Sequence, residues 1–331
     1  MRICGHPGSA GLHSTGTMQL LPGTGSLVAA LWLLLDVLFL GALFLHLLGD
    51  WSRRRSVLCG VFQDLIRYGK TKLGTRPAWL RCCDLPKRWF WHFYFLSVTW
   101  NGVLLGLVVR SLLLGVHFPQ WIQQILHFFH KDPEQKTSDG ELSTLLALSL
   151  LWIHSLRRLL ECLYVSVYSA GVIHLAQYGL GIVYYFLLGI TVLDHTQMDY
   201  RKVTVQELLL QLHWYHIFGF LLYIWASFHQ SRCHMILANL RKDKSGNIVT
   251  MKHVMPSGDW FEKVSCPHYF AELLIYISVA FLFGLTHVTW WLLVLFVLFN
   301  QSLAAVLCHE FYHQKFDSYP AQRKAFIPFL F

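Results

Sequence analysis

The chain is 331 residues long, 55% hydrophobic and 15% aromatic, with only 14% Asp, Glu, Lys and Arg. Soluble domains carry about 25% charged residues, so this composition and a mean hydropathy of +0.44 place the chain in a lipid bilayer. Its net charge of +9 would suit nucleic acid in a soluble protein. In a membrane protein the excess of Lys and Arg in cytosolic loops accounts for it, and nucleic acid is disfavoured as a partner.

Residues 1–25 are rich in Gly, Ser and Thr with a single Arg, a composition that predicts a disordered tail. No small-residue cleavage site with a positive flank precedes the first apolar run, so a signal-anchor is expected there. That run, 26–48, carries Asp36 near its middle. A basic stretch, 49–88, follows. Within it FQDLIRYGKTK sets a stacking ring, a close-approach glycine and a cation side by side at Tyr68, Gly69 and Lys70. The neighbours Cys82 and Cys83 lie in this juxtamembrane stretch, where palmitoylation is the alternative to plain thiols. The eight cysteines form no C-x-x-C pair, and a disulfide framework is not expected.

Six further apolar segments follow at 90–116, 142–164, 171–193, 208–228, 269–286 and 288–308. Each approaches the ~20 residues that cross a bilayer, and the last two predict a helical hairpin turning near Thr286–His287. Lys and Arg then set the sidedness: twenty-one fall on the side of the 49–88 loop, the 229–268 loop and the tail, and five on the other. The expected fold is therefore an all-α integral membrane protein. It is a single seven-transmembrane-helix bundle over 26–331, with its N-terminus lumenal and its C-terminus cytosolic.

Two spans are unusually polar. The second carries His92, Tyr94 and Asn101; the third reads LWIHSLRRLLECLYVSVYS, with His154, Arg157, Arg158 and Glu161 on successive turns. His154, Arg158 and Glu161 recur at i, i+4 and i+7 and share a helix face. Ionisable groups at membrane depth face a cavity or a partner; an Arg–Glu clasp is the structural alternative. GLGIVY at 179–184 offers only a G-x-G inside a span, which excludes a Rossmann turn. Any nucleotide must sit among the spans and loops themselves. Arg241, Lys242 and Lys244 stand where the helix continuing from the fifth span meets a Gly-containing turn.

The tail contains HEFYH at 309–313, which matches the zinc-protease pattern of two histidines four apart with a glutamate between them. A catalytic zinc needs a third protein ligand. The only similar partner, LDH at 193–195, falls at the opposite face of the bilayer, so no metal site is expected. Tyr312, Lys315, Tyr319, Arg323 and Lys324 instead gather rings and cations on the cytosolic side, a set suited to a phosphate-bearing, aromatic-headed ligand. Glu310 and His313 are read as incidental.

The stretches FQDLIRYGKTK, DLPKRWFWHFY, HSLRRLLECLYVSV, CHMILANLRK, PSGDWFE and FDSYPAQRKAFIPFLF closely resemble the steroid 5-alpha-reductase family, in its polyprenol/polyprenal-reducing branch. The resemblance runs from about Phe62 to Phe331. It implies seven helices in the endoplasmic reticulum membrane around an NADPH site entered from the cytosol. It also implies that Tyr68, Lys70, Arg158, Gln230, Arg241, His309, Tyr312, Tyr319 and Arg323 shape that site. The tail pattern recurs in membrane sterol reductases and in an isoprenyl-cysteine methyltransferase, so it suits an adenosine cofactor without choosing the reaction. His268 stands where the family usually has Asn, and is placed at the cofactor in its stead. Val254 and Met255 stand where a basic residue often precedes the I-P pair. Phe95 and Ser155 occupy the positions of the Glu and Tyr that polarise steroid ketones. That pair is not carried over, and His92, Tyr94, His154 and Glu161 are the catalytic candidates in its place.

Hydride is a nucleophile, and an isolated double bond gives its charge no sink, whereas an α,β-unsaturated aldehyde does. The expected reaction is thus reduction of polyprenal to dolichal, with a long-chain isoprenoid drawn from the bilayer and a partner dehydrogenase interconverting polyprenol and polyprenal. Reduction of 3-keto-4-ene steroids, an intramembrane zinc protease, a methyltransferase and a non-catalytic lipid-binding or scaffold role are the rival readings. If His309 walls the nucleotide site, His309→Ala raises the KM for NADPH while His313→Ala leaves it within about twofold; equal and total loss from both would restore the metal reading.

Overall fold

The computed structural model describes residues 26–49, 56–74, 76–129, 140–194 and 202–331. The expected disordered tail, Cys4, Arg53, Arg54, Arg55, Lys131, Lys136, His195 and Arg201 lie outside the described residues.

The chain is mostly helical. Helix α1 (Leu27–Leu48) starts where the Ser26 side chain accepts the Ala29 amide at 3.2 Å, and α2 (Val57–Ile66) repeats the device with Ser56 and Cys59. Such caps satisfy amide protons that no preceding turn can accept. Helix α3 (Trp91–Leu114) ends at Gly115, whose φ of 65° suits a residue without a Cβ. Helix α4 (Gln120–Phe129) leads to α5 (Glu141–Leu160), which opens into a π turn over Glu161–Val165. Then come α6 (Leu175–Leu193), the short α7 (Val205–Leu210), α8 (Trp214–Asn239), α9 (Pro267–Leu282) and α10 (Val288–Lys315).

Each of the seven apolar segments falls on a helix. Among the described residues, four helical stretches are long and apolar enough to cross a membrane: Leu27–Leu48, Lys87–Leu114, Leu175–Leu193 and Val288–Lys315. Helix α8 runs to Asn239, so the fifth segment does continue into the basic region before turning at Gly246. The α9–α10 hairpin turns where expected. Gly284 and Leu285 both take positive φ, Leu285 bonds back to the Ala280 carbonyl, and His287 caps α10 by accepting the Trp290 amide at 3.2 Å.

Two features depart from a purely helical reading. Strand β1 (Asp84–Pro86) pairs antiparallel with β2 (Val172–His174), in the register Asp84 to His174. Ahead of this patch the 69–71 turn abuts the backbone at Gly171. A Cβ there would stand 3.1 Å from the Gly69 Cα, and Gly69 itself has φ +56°. The stretch after α2 is held by Arg76, whose guanidinium reaches Asp84 at 2.8 Å and Asp64 at 3.0 Å. That hydrogen bond holds the Asp84 carboxyl below its usual range.

Helices pack in the pairs α8 with α9, α3 with α5 and α1 with α10. Small residues permit the closest approaches, as membrane helices require. A Cβ on Gly219 would lie 2.7 Å from the Ser278 carbonyl on α9, and one on Gly189 would lie 2.6 Å from Asn101 on α3.

Glu310 is not incidental, contrary to the sequence reading. Its carboxylate binds His46 of α1 at 2.8 Å and Arg67 at 3.4 Å, tying the start of the chain to the end of α10. His313 also has a partner, His309, at 3.1 Å between their Nε2 atoms.

Gly219→Val should force α8 from α9 at a cost of about 1–3 kcal/mol and lower the thermal midpoint in detergent. Gly106→Ala, where nothing stands within 4 Å, should leave it unchanged.

Candidate functional site

The first part of the site is cationic and aromatic. The 69–71 turn aims Lys70 at Tyr312 of α10, its ammonium 3.8 Å from the ring centre, and the same ammonium bonds the Cys308 thiol. Lys87, at the foot of α3, lies 5.2 Å above the Tyr68 ring and 5.7 Å above Phe90. Tyr68 and Tyr269 join their hydroxyls at 2.8 Å, and burial pushes the Tyr68 phenol up to about 12, so it stays protonated. Among the described residues neither lysine has a carboxylate partner. Two interior ammonium groups that face rings and no carboxylate, with the Cys308 thiol the acidic side chain beside Lys70, suit an anionic ligand that completes their charge balance. A cavity of about 30 Å³ lies between Lys70, Lys87, Tyr269 and Cys308.

The second part is a buried polar network drawn from four helices. Arg157 binds Glu161 at 2.7 Å, accepts no proton itself, and donates to His154 at 3.2 Å and to the Gln230 side-chain carbonyl. Gln230 in turn donates to Glu272, whose other oxygen lies 3.3 Å from His154. Arg158 binds Glu161 at 2.5 Å and donates to the Tyr94 hydroxyl at 3.0 Å, with its guanidinium 4.9 Å from the Tyr94 ring. His234 closes this part, its Nδ1 at 2.7 Å from Glu161 and 2.8 Å from Arg158. Which of the two it bonds depends on its tautomer.

The third part is the folded tail. Ser265 meets both His309 and Tyr319 at 2.6 Å, and Tyr319 stacks on Tyr312 at 5.6 Å. Arg323 is buried; it donates to the Pro256 carbonyl at 2.8 Å and pairs with Glu262 at 3.1 Å. The backbone of Val264 runs beside Lys324 as a parallel bridge. The tail thus underpins the wall that Tyr312 presents to Lys70.

The predicted residues distribute as follows. Tyr68, Lys70 and Tyr312 meet in the cationic part, while His309, Tyr319 and Arg323 stand behind it. Tyr94, His154, Arg158, Glu161 and Gln230 lie in the network. His154, Arg158 and Glu161 do not serve one target: His154 turns to Glu272, and Arg158 turns to Glu161. His92 stands apart, its Nδ1 2.9 Å from the Tyr178 hydroxyl. Arg241 donates to the Val167 carbonyl and Lys242 to Val165 at 3.3 Å, so both secure the chain after the π turn. His268 lies beside Tyr269 and 5.6 Å from the His234 ring. Its Nδ1 is buried and has no partner among the described residues.

Lys87, His234 and Glu272 are among the residues of these parts that escaped the sequence reading, with Tyr269, Ser265 and Glu262 beside them. Glu272 carried the clearest signal, an acid within an apolar helix. The HEFYH histidines have other duties than a shared ion: His309 Nδ1 is taken by Ser265. Among the described residues, no three His, Cys, Asp or Glu side chains gather around one point.

His253 lies over this region, its ring 5.3 Å from Phe311. Burial, and then the charges of Lys70, Arg241, Lys315 and Lys87, lower its pKa to about 4. An unfolded histidine takes its proton near 6.5, so the folded chain binds fewer protons between those values. Stability then falls as pH drops from about 6.5 toward 4. The protection factors of amides over 249–256, taken against the intrinsic exchange rate at each pH, should fall across that window, and His253→Phe should abolish the fall; a variant whose protection falls equally would show that another group is responsible.

A family model described as 3-oxo-5-alpha-steroid 4-dehydrogenase matches residues 173–331. The chain is 62% identical over 307 residues to a protein of Xenopus tropicalis named polyprenal reductase, covering 92% of this chain and 100% of the relative. It is 52% identical over 308 residues to the polyprenal reductase of Homo sapiens, covering 91% and 95%. To that of Danio rerio it is 48% identical over 306 residues, covering 92% and 98%. With identity at this level along nearly the whole chain, and a fold that assembles residues from both sides of position 173 into one site, the chain belongs to the steroid 5-alpha-reductase family, in its polyprenal reductase branch.

Proposed function

We propose that this chain is an NADPH-dependent polyprenal reductase. It reduces the α-isoprene double bond of polyprenal to give dolichal, on the route that supplies dolichol for protein N-glycosylation. The names of its relatives support the substrate. The cofactor rests on one observation: Lys70 and Lys87 face the interior over Tyr312 and Tyr68 without an acidic partner.

The side chains of that cradle suit the charged and aromatic parts of a phosphate-bearing dinucleotide, which needs more room than the cavity of about 30 Å³ between them. Lys70 and Lys87 offer charge, the Tyr68 and Tyr312 rings offer stacking faces, and Gly69 and Gly171 let backbone approach closely. When bound, NADPH supplies a hydride. The protein's own residues do the rest. The network around Glu161 and Glu272 holds α3, α5, α8 and α9 in register. The surrounding apolar helices exclude water and receive the isoprenoid tail. A hydroxyl or imidazole directed at the aldehyde oxygen favours the charge that gathers there as the double bond is reduced.

The steroid alternative is weakened by the residues at the ketone-polarising positions. Phe95 points outward, 52% exposed, and Ser155 is engaged with Ser97 at 2.7 Å. Neither reaches a ligand in the interior. We read the molecule as a seven-span protein of the endoplasmic reticulum membrane with a cytosolic C-terminus. A separate dehydrogenase presents polyprenol to it as the aldehyde. The methyltransferase and protease readings require S-adenosylmethionine or bound zinc, and a chelator separates the latter.

The purified protein should oxidise NADPH with polyprenal, and not with polyprenol unless a dehydrogenase is added. Oxidation with a 3-keto-4-ene steroid alone would overturn the isoprenoid assignment. Turnover of free polyprenol would overturn the aldehyde argument.

A further inference from the structure

Helix α9 presents Tyr269, Glu272 and Tyr276 at i, i+3 and i+7, on one face. Over about 10 Å of rise that face passes through three environments. Tyr269 meets Tyr68 in the cationic cradle, Glu272 meets His154 in the polar network, and Tyr276 meets an aromatic group on α1, α6 and α10. Tyr276 is 1% exposed, and its ring lies 6.5 Å from His154 and 6.1 Å from Trp290. Its hydroxyl accepts a hydrogen bond from Tyr184 of α6 at 2.5 Å. Tyr184 is half-buried, with Trp32 at 5.9 Å and Phe296 at 5.6 Å.

The other candidate donors are already committed. Glu161 is held by Arg157, Arg158 and His234. His154 Nδ1 faces Arg157, and its Nε2 lies 3.3 Å from the Glu272 carboxylate, an ion-pair contact rather than a hydrogen bond, so the ring is held between those two groups. The Tyr94 hydroxyl is taken by Arg158 and Tyr185. His92 is bonded to Tyr178. Tyr276 differs: it accepts from Tyr184, and its own hydroxyl proton has no acceptor among the described residues. A hydroxyl that receives one hydrogen bond becomes a better donor of the next.

We propose that Tyr276, supported by Tyr184, is the carbonyl-polarising donor for the enal, a role resting on the reading of the chain as a polyprenal reductase. The reaction balances as follows. Hydride from the reduced nicotinamide forms a C–H bond at the β-carbon, the C=C π pair moves between Cα and the carbonyl carbon, and the C=O π pair moves onto oxygen. The Tyr276 O–H hydrogen bond stabilises that oxygen without giving up its proton. A solvent-derived proton then joins the α-carbon and the C=O bond re-forms, so the enal is reduced and the nicotinamide oxidised. The position agrees with the amphiphilic substrate. Its polar head meets the polyprotic face of α9 where that face turns apolar, and its tail lies among the aromatic side chains toward the bilayer.

The test uses the full-length protein in detergent with NADP+ and a short-chain isoprenoid enal, which form a complex that cannot turn over. Isotope-edited infrared spectroscopy should find the carbonyl stretch of the wild-type complex lowered from its value in hydrocarbon. Tyr276→Phe should return it toward that value and cut kcat about 10²–10³-fold, the loss typical of one oxyanion donor, with the KM for NADPH unchanged. Tyr184→Phe should cut kcat about tenfold and lower the stretch less than wild type does. A wild-type stretch that is not lowered, or a Tyr276→Phe variant with wild-type kcat, overturns the proposal, and the wild-type spectrum decides even if a variant fails to fold. Wild-type protein that does not reduce the enal at all would instead overturn the functional reading.

Discussion

A carboxylate inside an apolar bundle has to find polar partners, and where its own helix does not supply enough of them a neighbouring helix must. Glu161 and Glu272 impose that condition here. Each takes hydrogen bonds from more than one helix, through Arg157, Arg158, His234, Gln230 and His154. Removing one partner leaves the other charge buried and unpaired, at a cost of about 3–5 kcal/mol. The network therefore constrains the arrangement of α3, α5, α8 and α9 more sharply than apolar packing does, because lipid competes for apolar contacts and not for charges. The cradle of Lys70 and Lys87 is its opposite: charge that the protein leaves unbalanced, in the place where a ligand can balance it.

The two regions explain why the apolar segments were legible in the sequence and the contacts were not. Hydropathy alone located α1, α3, α5, α6, α8, α9 and α10, because lipid demands continuous apolar runs, and passed over the short α2 and α4, the latter of which packs on α1 and α6. Hairpin geometry at 283–287 followed from a short polar interruption. The pairing of Glu310 with His46 could not be read, since 264 residues separate them and no local pattern couples them. Residues drawn from the motifs Y-G-K and H-S-L-R-R fall in the cationic part and the polar network, yet partners such as Tyr269 and Glu272 come from α9. Glu272 was visible as an acid in an apolar run; its link to His154 required the relative rotation of α5 and α9. The short β1–β2 ladder and the π turn were silent for a different reason. Each spans only a few residues and is imposed by its surroundings rather than by propensity.

HEFYH illustrates how a local pattern changes meaning in context. Four-residue spacing does bring His309 and His313 together, as a helix must. Yet His309 is claimed by Ser265, and the intervening glutamate faces the other way, toward α1 and α2. One helical turn thus divides its faces between a folded tail and an interhelical tether.

That tether has a consequence for biosynthesis. A ribosome adding about 5–20 residues per second needs roughly 13–50 s between His46 and Glu310. During this interval α1, a helix long and apolar enough to cross a membrane, lacks its partner α10, and it carries Asp36, whose carboxyl has no hydrogen-bond partner among the described residues even in the finished fold. Helix α1 is thus secured in two stages, by Trp32 to Thr191 once α6 is made and by His46 to Glu310 only when α10 follows.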